Sequence, residues 1–254
     1  MRKAQFFYLL RRGLVSGGLN LIKEGLVMAS KFTTQGLSFP AQGSATFNGS
    51  SDYIQLPDPF SHTNHTIAAW VYANDTANNK EVFDNRNASS NGILLYATTD
   101  EKIYYRLNSN TNLDSVNTHA NEWVYAVGTY DGTTQRLYIN GSLENSQSVS
   151  ATITTAQDAI IGRYTISDAN PFGGNLANVA IWNRALSSDE INSVMWKDYQ
   201  ALTSAESNGL QAWYSLDDIT SPAASLANME QLATDKNATI ENKAAITAAI
   251  NALS

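Results

Sequence analysis

Acidic side chains stand close together in four places: Glu81 with Asp84, Asp100-Glu101, Asp189-Glu190 and Asp217-Asp218. Cleaving a glycosidic bond takes two carboxyls about 5–9 Å apart. On a strand that means acids at i and i+2 or i+4, sharing one face. None of the four pairs has this spacing. Asp189-Glu190 opens a helix, Asp217-Asp218 ends a strand, and the other two pairs sit in turn-like sequence, so no catalytic pair is expected. His62, His65 and His119 read as loop residues. His62 and His65 are three apart, but no third metal ligand stands near them in sequence. There is no Ser-His-Asp signature and no Gly-rich phosphate loop. With no Cys in the chain, disulfides and thiolate metal sites are both excluded.

Binding a sugar asks for different groups: an exposed aromatic ring for the sugar face and planar polar groups beside it. Tyr104 and Arg106 alternate with Ile103, Tyr105 and Leu107, which makes them the polar face of one strand. Arg86 with Asn87, and Arg163 with Tyr164, lie in or beside loops. These six residues are the candidate glycan contacts, and each is equally an ordinary surface residue.

The elements that must position them are short strands. Ala45–Phe47, Tyr53–Leu56, Thr66–Tyr72, Ile93–Tyr96, Lys102–Leu107, Trp123–Tyr130, Gln135–Ile139, Ala159–Gly162 and Asn175–Trp182 are rich in Val, Ile, Thr, Tyr and Trp. Asn/Ser runs divide them, and Asp131-Gly132 and Asn140-Gly141 mark hairpins. Many short strands without long helices between them predict an all-β sandwich. After Trp182, Ser187 followed by Glu190 predicts a capping box and a helix start. Gly209–Asp218 reads as one more strand, either added to the same sandwich or paired with a neighbouring molecule.

The ends differ from the body. Residues 1–31 carry six Lys/Arg against one acid, a charge of +5, while the remainder carries −12. Phe6, Leu9, Leu10 and Leu14 fall on one helical face, as do Leu19, Ile22 and Leu26, with a break at Gly17-Gly18. Neither apolar run approaches the roughly 20 residues of a membrane span, and no cleavage site is apparent, so neither a membrane span nor a signal peptide is expected. The basic segment is expected to be an assembly arm, with Arg2, Lys3, Arg11 and Arg12 meeting an acidic neighbour. The acidic body argues against nucleic acid as a partner. The expected organisation is an arm over 1–35, a sandwich over 36–218 and an Ala-rich helical tail over 219–254.

Three segments, in order, carry a family resemblance. They are Phe47–Leu56 (FNGSSDYIQL), Trp123–Gly132 (WVYAVGTYDG) followed by Leu137–Gly141 (LYING), and Gly173–Ile191 (GGNLANVAIWNRALSSDEI). Together they are similar to the motifs of laminin-G-like, concanavalin A-like domains over roughly residues 36–196. The resemblance implies an antiparallel jelly-roll sandwich, here with helical N- and C-terminal extensions, and it implies that Trp70 and Trp123 belong to the core. The E-x-D-x-x-E pattern of related glycan hydrolases is absent. Calcium is the ligand the resemblance implies, with Asp52 at an acidic position of the opening strand. Ala177 stands where many relatives carry Asp, so a small calcium effect or none is expected, and no other cofactor.

The closing motif and the strand after it also resemble modules of phage structural proteins. The expected function is therefore a non-enzymatic bacteriophage virion structural protein. It would display a glycan-binding module at the virion surface and be held to other virion subunits, or to copies of itself, by its terminal segments. A secreted or cell-surface bacterial carbohydrate-binding module is the alternative, and a glycan hydrolase or lyase the third reading.

Overall fold

The computed structural model describes residues 44–216, apart from 57–59, 75–78, 109–110, 154–157, 166 and 168. The expected arm and tail, with Arg2, Lys3, Arg11, Arg12 and the Asp217-Asp218 pair, lie outside the described residues. The strands are β1 (Ala45–Asn48), β2 (Ile54–Gln55), β3 (His65–Ala73), β4 (Lys80–Asp84), β5 (Ile93–Ala97), β6 (Ile103–Leu107) and β7 (Thr111–Asp114). They continue with β8 (Trp123–Tyr130), β9 (Thr134–Ile139), β10 (Ser142–Ser148), β11 (Ile160–Ile161), β12 (Gly173–Trp182) and β13 (Leu210–Tyr214). A short helix, α1 (Ser188–Val194), follows β12. Sheet A runs β1-β12-β3-β8-β9-β10 with β13 also on β12, and sheet B runs β2-β11-β4-β5-β6-β7. Every pairing is antiparallel. The two sheets stack as a jelly-roll sandwich.

The burial pattern follows from how many layers cover each sheet. β3 is buried at nearly every position, on both faces. Ile67, Ala69 and Val71 face sheet B, whereas Ala68 and Trp70 face a second cluster with Trp182, Leu186, Ile191, Val194 and Met195. A strand covered on both sides needs a continuous apolar run. β6 alternates buried and half-buried residues because only one of its faces meets the core. Gly128 of β8 faces inward, where a Cβ would run into the Tyr105 ring, so this glycine lets the two sheets close on that tyrosine.

The predicted helix start is present. Ser187 Oγ accepts from Glu190 N–H, and the Glu190 carboxylate accepts from Ser187 N–H at 2.8 Å. Arg184 clasps Glu190 through both Nη atoms at 3.0 and 2.7 Å. This fixes α1 at the end of β12, with Ile191 and Val194 against the outer face of sheet A. The last predicted strand joins the same sandwich: β13 pairs with residues 179–182 of β12, on the edge that β1 occupies lower down at 173–176. Asn178 (φ 47°) lies between these stretches, where the β12–β3 register shifts. The bulge explains why Leu176 and Val179, three apart, both face the core.

Two expectations are corrected. Trp70 is fully buried, its indole N–H donating to Met195 O at 3.1 Å. Trp123 is only half-buried, packed against the edge of the outer cluster and beside Tyr72 at 5.7 Å between ring centroids. His65 is not a loop residue but the first residue of β3, buried inside the sandwich. Its Nδ1 faces the carbonyls of His62 and Thr63 at 3.1 and 2.9 Å. Nδ1 therefore carries the hydrogen, and Nε2 accepts from the Tyr105 hydroxyl at 2.6 Å.

Trp70→Ala is expected to cost about 3–5 kcal/mol, the usual range for truncating a large buried aromatic. Trp123→Ala should cost about 1–2 kcal/mol, since only part of its apolar area is removed from water. Denaturant titration of both variants checks the difference. Burial lowers the His65 pKa from 6.5 to about 4. The unfolded chain takes up that proton first, so stability should fall as pH drops from about 6.5 to 4. By linkage the loss totals about 3 kcal/mol. His65→Gln should remove this pH dependence, as seen in melts collected from pH 7 to pH 4.

Candidate functional site

The layer built from α1 and the 195–202 segment covers the outer face of the central strands of sheet A, and the outer face of sheet B carries the candidate residues. Strand register arranges that face in two rows. Asp84, Leu94, Arg106 and Asn112 are cross-strand partners on β4, β5, β6 and β7; Glu81, Tyr96, Tyr104 and Asp114 form the next row. Directly paired residues share a face, so about 14 Å of sheet, four strands wide, carries these side chains together only because the register is kept.

Over β4 the face is closed. Asp84 is fully buried, and Glu81 and Arg86 nearly so. Arg86 donates to both oxygens of Asp84, Nε to Oδ1 and Nη2 to Oδ2 at 2.9 Å each, and Nη2 reaches Glu81 Oε1 at 2.8 Å. The Tyr164 ring lies over the guanidinium, 4.8 Å from centroid to Cζ. The Gly162–Phe172 connection is tied down by the same carboxyls. Thr165 N–H donates to Asp84 at 3.2 Å, and Asn170 Nδ2 donates to Glu81 at 3.2 Å.

This overturns the expectation that Glu81 and Asp84 sit in a turn, on no common face. Both lie on β4, and a register shift between Glu81 and Phe83 puts residues three apart on one side. Arg86, a candidate glycan contact, is instead the counter-charge of a buried pair. Asn87 closes a turn, its Oδ1 accepting from the N–H groups of Ser89 and Asn91 at 2.9 and 3.1 Å.

Over β6 and β7 the face opens. Tyr96 and Tyr104 pack with ring centroids 5.2 Å apart, tilted at 35° to each other. Tyr96 is 7% exposed, while Tyr104 and Arg106 are half-buried and Asn112 exposed. Tyr104 donates its hydroxyl to Asp100 at 2.9 Å, and Lys102 pairs with Asp114 at 2.7 Å. Arg106 Nε donates to Asn108 O at 2.7 Å, which fixes the guanidinium plane. Burial raises the Tyr96 phenol, and the Arg106 and Arg86 charges beside it act in the opposite direction. The structure thus brings Tyr104 and Arg106 together as predicted. It adds Tyr96 and Asn112, which the sequence reading passed over: β5 is apolar and buried throughout, so nothing in its pattern marks Tyr96 as outward-facing.

The remaining candidates lie at the other edge. The Arg163 guanidinium stacks on the exposed Tyr53 ring at 3.5 Å. Asp52 is buried, and its carboxylate accepts from the Asn48 N–H and Nδ2 at 3.0 and 3.1 Å. Asn48 in turn accepts from Ser50, Ser51 and Asp52, so this carboxylate closes the loop between β1 and β2. Ala177 is buried beside Trp70 under the outer layer of sheet A. Among the described residues no three His, Asp or Glu side chains converge as a metal site.

Arg86→Ala should destabilise the fold by about 3–5 kcal/mol, because it strands the buried Asp84 carboxylate without its counter-charge. Arg86→Lys should recover only part of this, since one ammonium cannot reproduce the fork. Chemical denaturation of the two variants is the measurement.

Among curated proteins no relative matches the sequence. Solved structures do resemble it. A putative carbohydrate binding protein from Bacteroides ovatus superposes with a TM-score of 0.53 at 17% identity, covering 69% of this chain and 52% of that one. The chain therefore spans about half the length of that protein. The CBM40 of the Ruminococcus gnavus IT-sialidase, bound to α2,3-sialyllactose, superposes with a TM-score of 0.52 at 16% identity, covering 60% of this chain and 96% of the module. Identities this low establish the common fold alone. A family profile described as the concanavalin A-like lectin/glucanases superfamily matches residues 48–192, more than half of the chain, and the chain belongs to that family.

Proposed function

We propose that this chain is a non-enzymatic glycan-binding module whose ligand lies on the outer face of sheet B over β6 and β7, where Tyr104 packs on the buried Tyr96. The Tyr96–Tyr104 pair beside Arg106 and Asn112 is the observation that carries the reading. A tyrosine face stacks on the C–H groups of a sugar ring, while a guanidinium and an amide hydrogen-bond to its hydroxyls or carboxylate. The two rows are rigid because they are built on strands and braced by the Asp100 and Asn108 contacts, so little ordering entropy opposes binding. The carbohydrate-binding neighbours share the architecture that supports such a face. The buried carboxyl pair on β4, Glu81 with Asp84, is filled by Arg86, Thr165 and Asn170 and leaves no room for a scissile bond. That supports binding without cleavage.

In the finer reading the module is displayed on a bacteriophage particle as a structural protein. Support for this comes from the closing motif and from the +5 arm preceding a −12 body. No helix among the described residues is long and apolar enough to cross a membrane.

A glycan array followed by calorimetry on the hits tests the binding face. Tyr104→Ala and Arg106→Ala should each weaken binding by about 10–100-fold, the worth of one stacking or charge-assisted contact, with melting temperatures within a few degrees of wild type. Binding unaffected by both changes moves the site elsewhere. Release of reducing sugar, abolished by a single Asp or Glu change, rejects the non-enzymatic reading. Mass spectrometry of purified particles tests the virion placement.

A further inference from the structure

The buried charges beneath the Gly162–Phe172 connection do not balance as drawn. Two carboxyls, Glu81 and Asp84, face one guanidinium, Arg86. Donors converge on three of the four carboxyl oxygens. Asp84 Oδ1 takes Arg86 N–H and Nε, Asp84 Oδ2 takes Arg86 Nη2 and Thr165, and Glu81 Oε1 takes Arg86 Nη2 and Asn170. Glu81 Oε2 is sealed from solvent and receives no donor. An ionised Glu81 would hold a bare oxygen and a second negative charge against Asp84. A protonated Glu81 removes both penalties, because its O–H can donate to the neighbouring carboxylate.

We propose that Glu81 is a positioning residue: it keeps a proton shared with Asp84, and this proton latches Thr165 and Asn170, and with them Tyr164, on the β4 side of the binding face. The consequence for ligand binding rests on the glycan reading above; the latch itself does not. The groups facing the pair are Asp84 on β4, Arg86 just after it, Tyr164 on the Gly162–Phe172 connection and Tyr96 on β5, with Arg106 and Asp100 also reaching Tyr96. Burial first, then the Asp84 charge, push Glu81 from 4.5 up to about 8, with Arg86 and Asn170 opposing.

The sign of the effect follows from proton counting. Opening the connection exposes Glu81 and returns it to the ordinary carboxylate range. Between about 4.5 and 8 the closed form therefore holds one proton more than the open form. Opening becomes about tenfold easier per pH unit across that window and levels off above it.

The test follows amide hydrogen exchange of the segment carrying Tyr164, Thr165 and Phe172 in the full chain. Rates are corrected for intrinsic exchange and measured from pH 6 to pH 9 in the wild type and in Glu81→Gln. The Tyr164 and Phe172 amides report directly, being bonded to Ala169 O and Gly162 O. Wild-type protection should fall by up to tenfold per pH unit to about pH 8 and then flatten. Glu81→Gln should stay flat, because its amide donates to Asp84 at every pH. A flat wild-type profile, or the same slope in Glu81→Gln, overturns the proposal. Should Glu81→Gln fail to fold, carbon-detected NMR titration of the wild-type Glu81 carboxyl decides. A midpoint near 8 supports the latch, and one in the ordinary carboxylate range overturns it. Both readouts are ligand-free, so a failure of the glycan reading leaves them intact.

Discussion

Sheet A has to bury both of its faces, and the rest of the molecule is arranged around that demand. Its central strands β12, β3 and β8 are apolar on either side. One side is met by sheet B. The other needs a second cover, and the chain supplies it immediately after β12, where Arg184 and the Ser187/Glu190 capping box turn the backbone into α1. Ile191, Val194 and Met195 then close over Trp70 and Trp182. With the central strands of sheet A covered, the outer face of sheet B is a broad strand face on which polar chemistry can collect. The location of the candidate site is thus a consequence of how the core is layered.

That outer face is used in two ways, and burial decides between them. Over β4 the charges are internal and satisfy one another, fastening the Gly162–Phe172 connection to the sheet. A buried ion pair of this kind contributes little net stability compared with apolar packing but strongly penalises its own disruption, which suits a fastening. Over β6 and β7 the charges are half-exposed and locally paired: Asp100 with Tyr104, and Lys102 with Asp114. Exposed pairs of this kind are worth little to stability. Their effect is to hold aromatic and polar side chains in fixed orientation.

The sandwich was legible because its central strands are continuous runs of β-branched and aromatic residues, separated by Asn-Gly and Asp-Gly turns. The strands that escaped notice are polar. β10 (Ser142–Ser148) is an edge strand exposed along most of its length, and β7 (Thr111–Asp114) has one buried apolar side chain, Leu113. Neither carries a hydrophobic period. β4, Lys-Glu-Val-Phe-Asp, was hidden for the opposite reason: its charged residues are buried, which no pattern of polarity anticipates. The candidate site was half legible. Tyr104 and Arg106 follow from strict alternation in β6. Arg86 looked like a loop residue open to solvent because the groups that bury it, Tyr164, Thr165 and Asn170, come about eighty residues later. Trp123 was assigned to the core by its motif, yet at the start of β8 it lies beside the covering layer of sheet A.

The acid pair on β4 bears on the question of catalysis. An acid held protonated beside an ionised carboxylate is how many hydrolases set up a general acid, so the chemistry of Glu81 and Asp84 alone does not distinguish an enzyme from a binder. Space and lone pairs do. A catalytic pair leaves a gap for a sugar and a water. Here Asp84 has no exposed surface, Glu81 has 2%, and Arg86, Thr165 and Asn170 occupy the directions from which a substrate would approach. The same like-charge repulsion that tunes a general acid elsewhere is enclosed in this fold, between the sheet and the side chains of Arg86, Thr165 and Asn170.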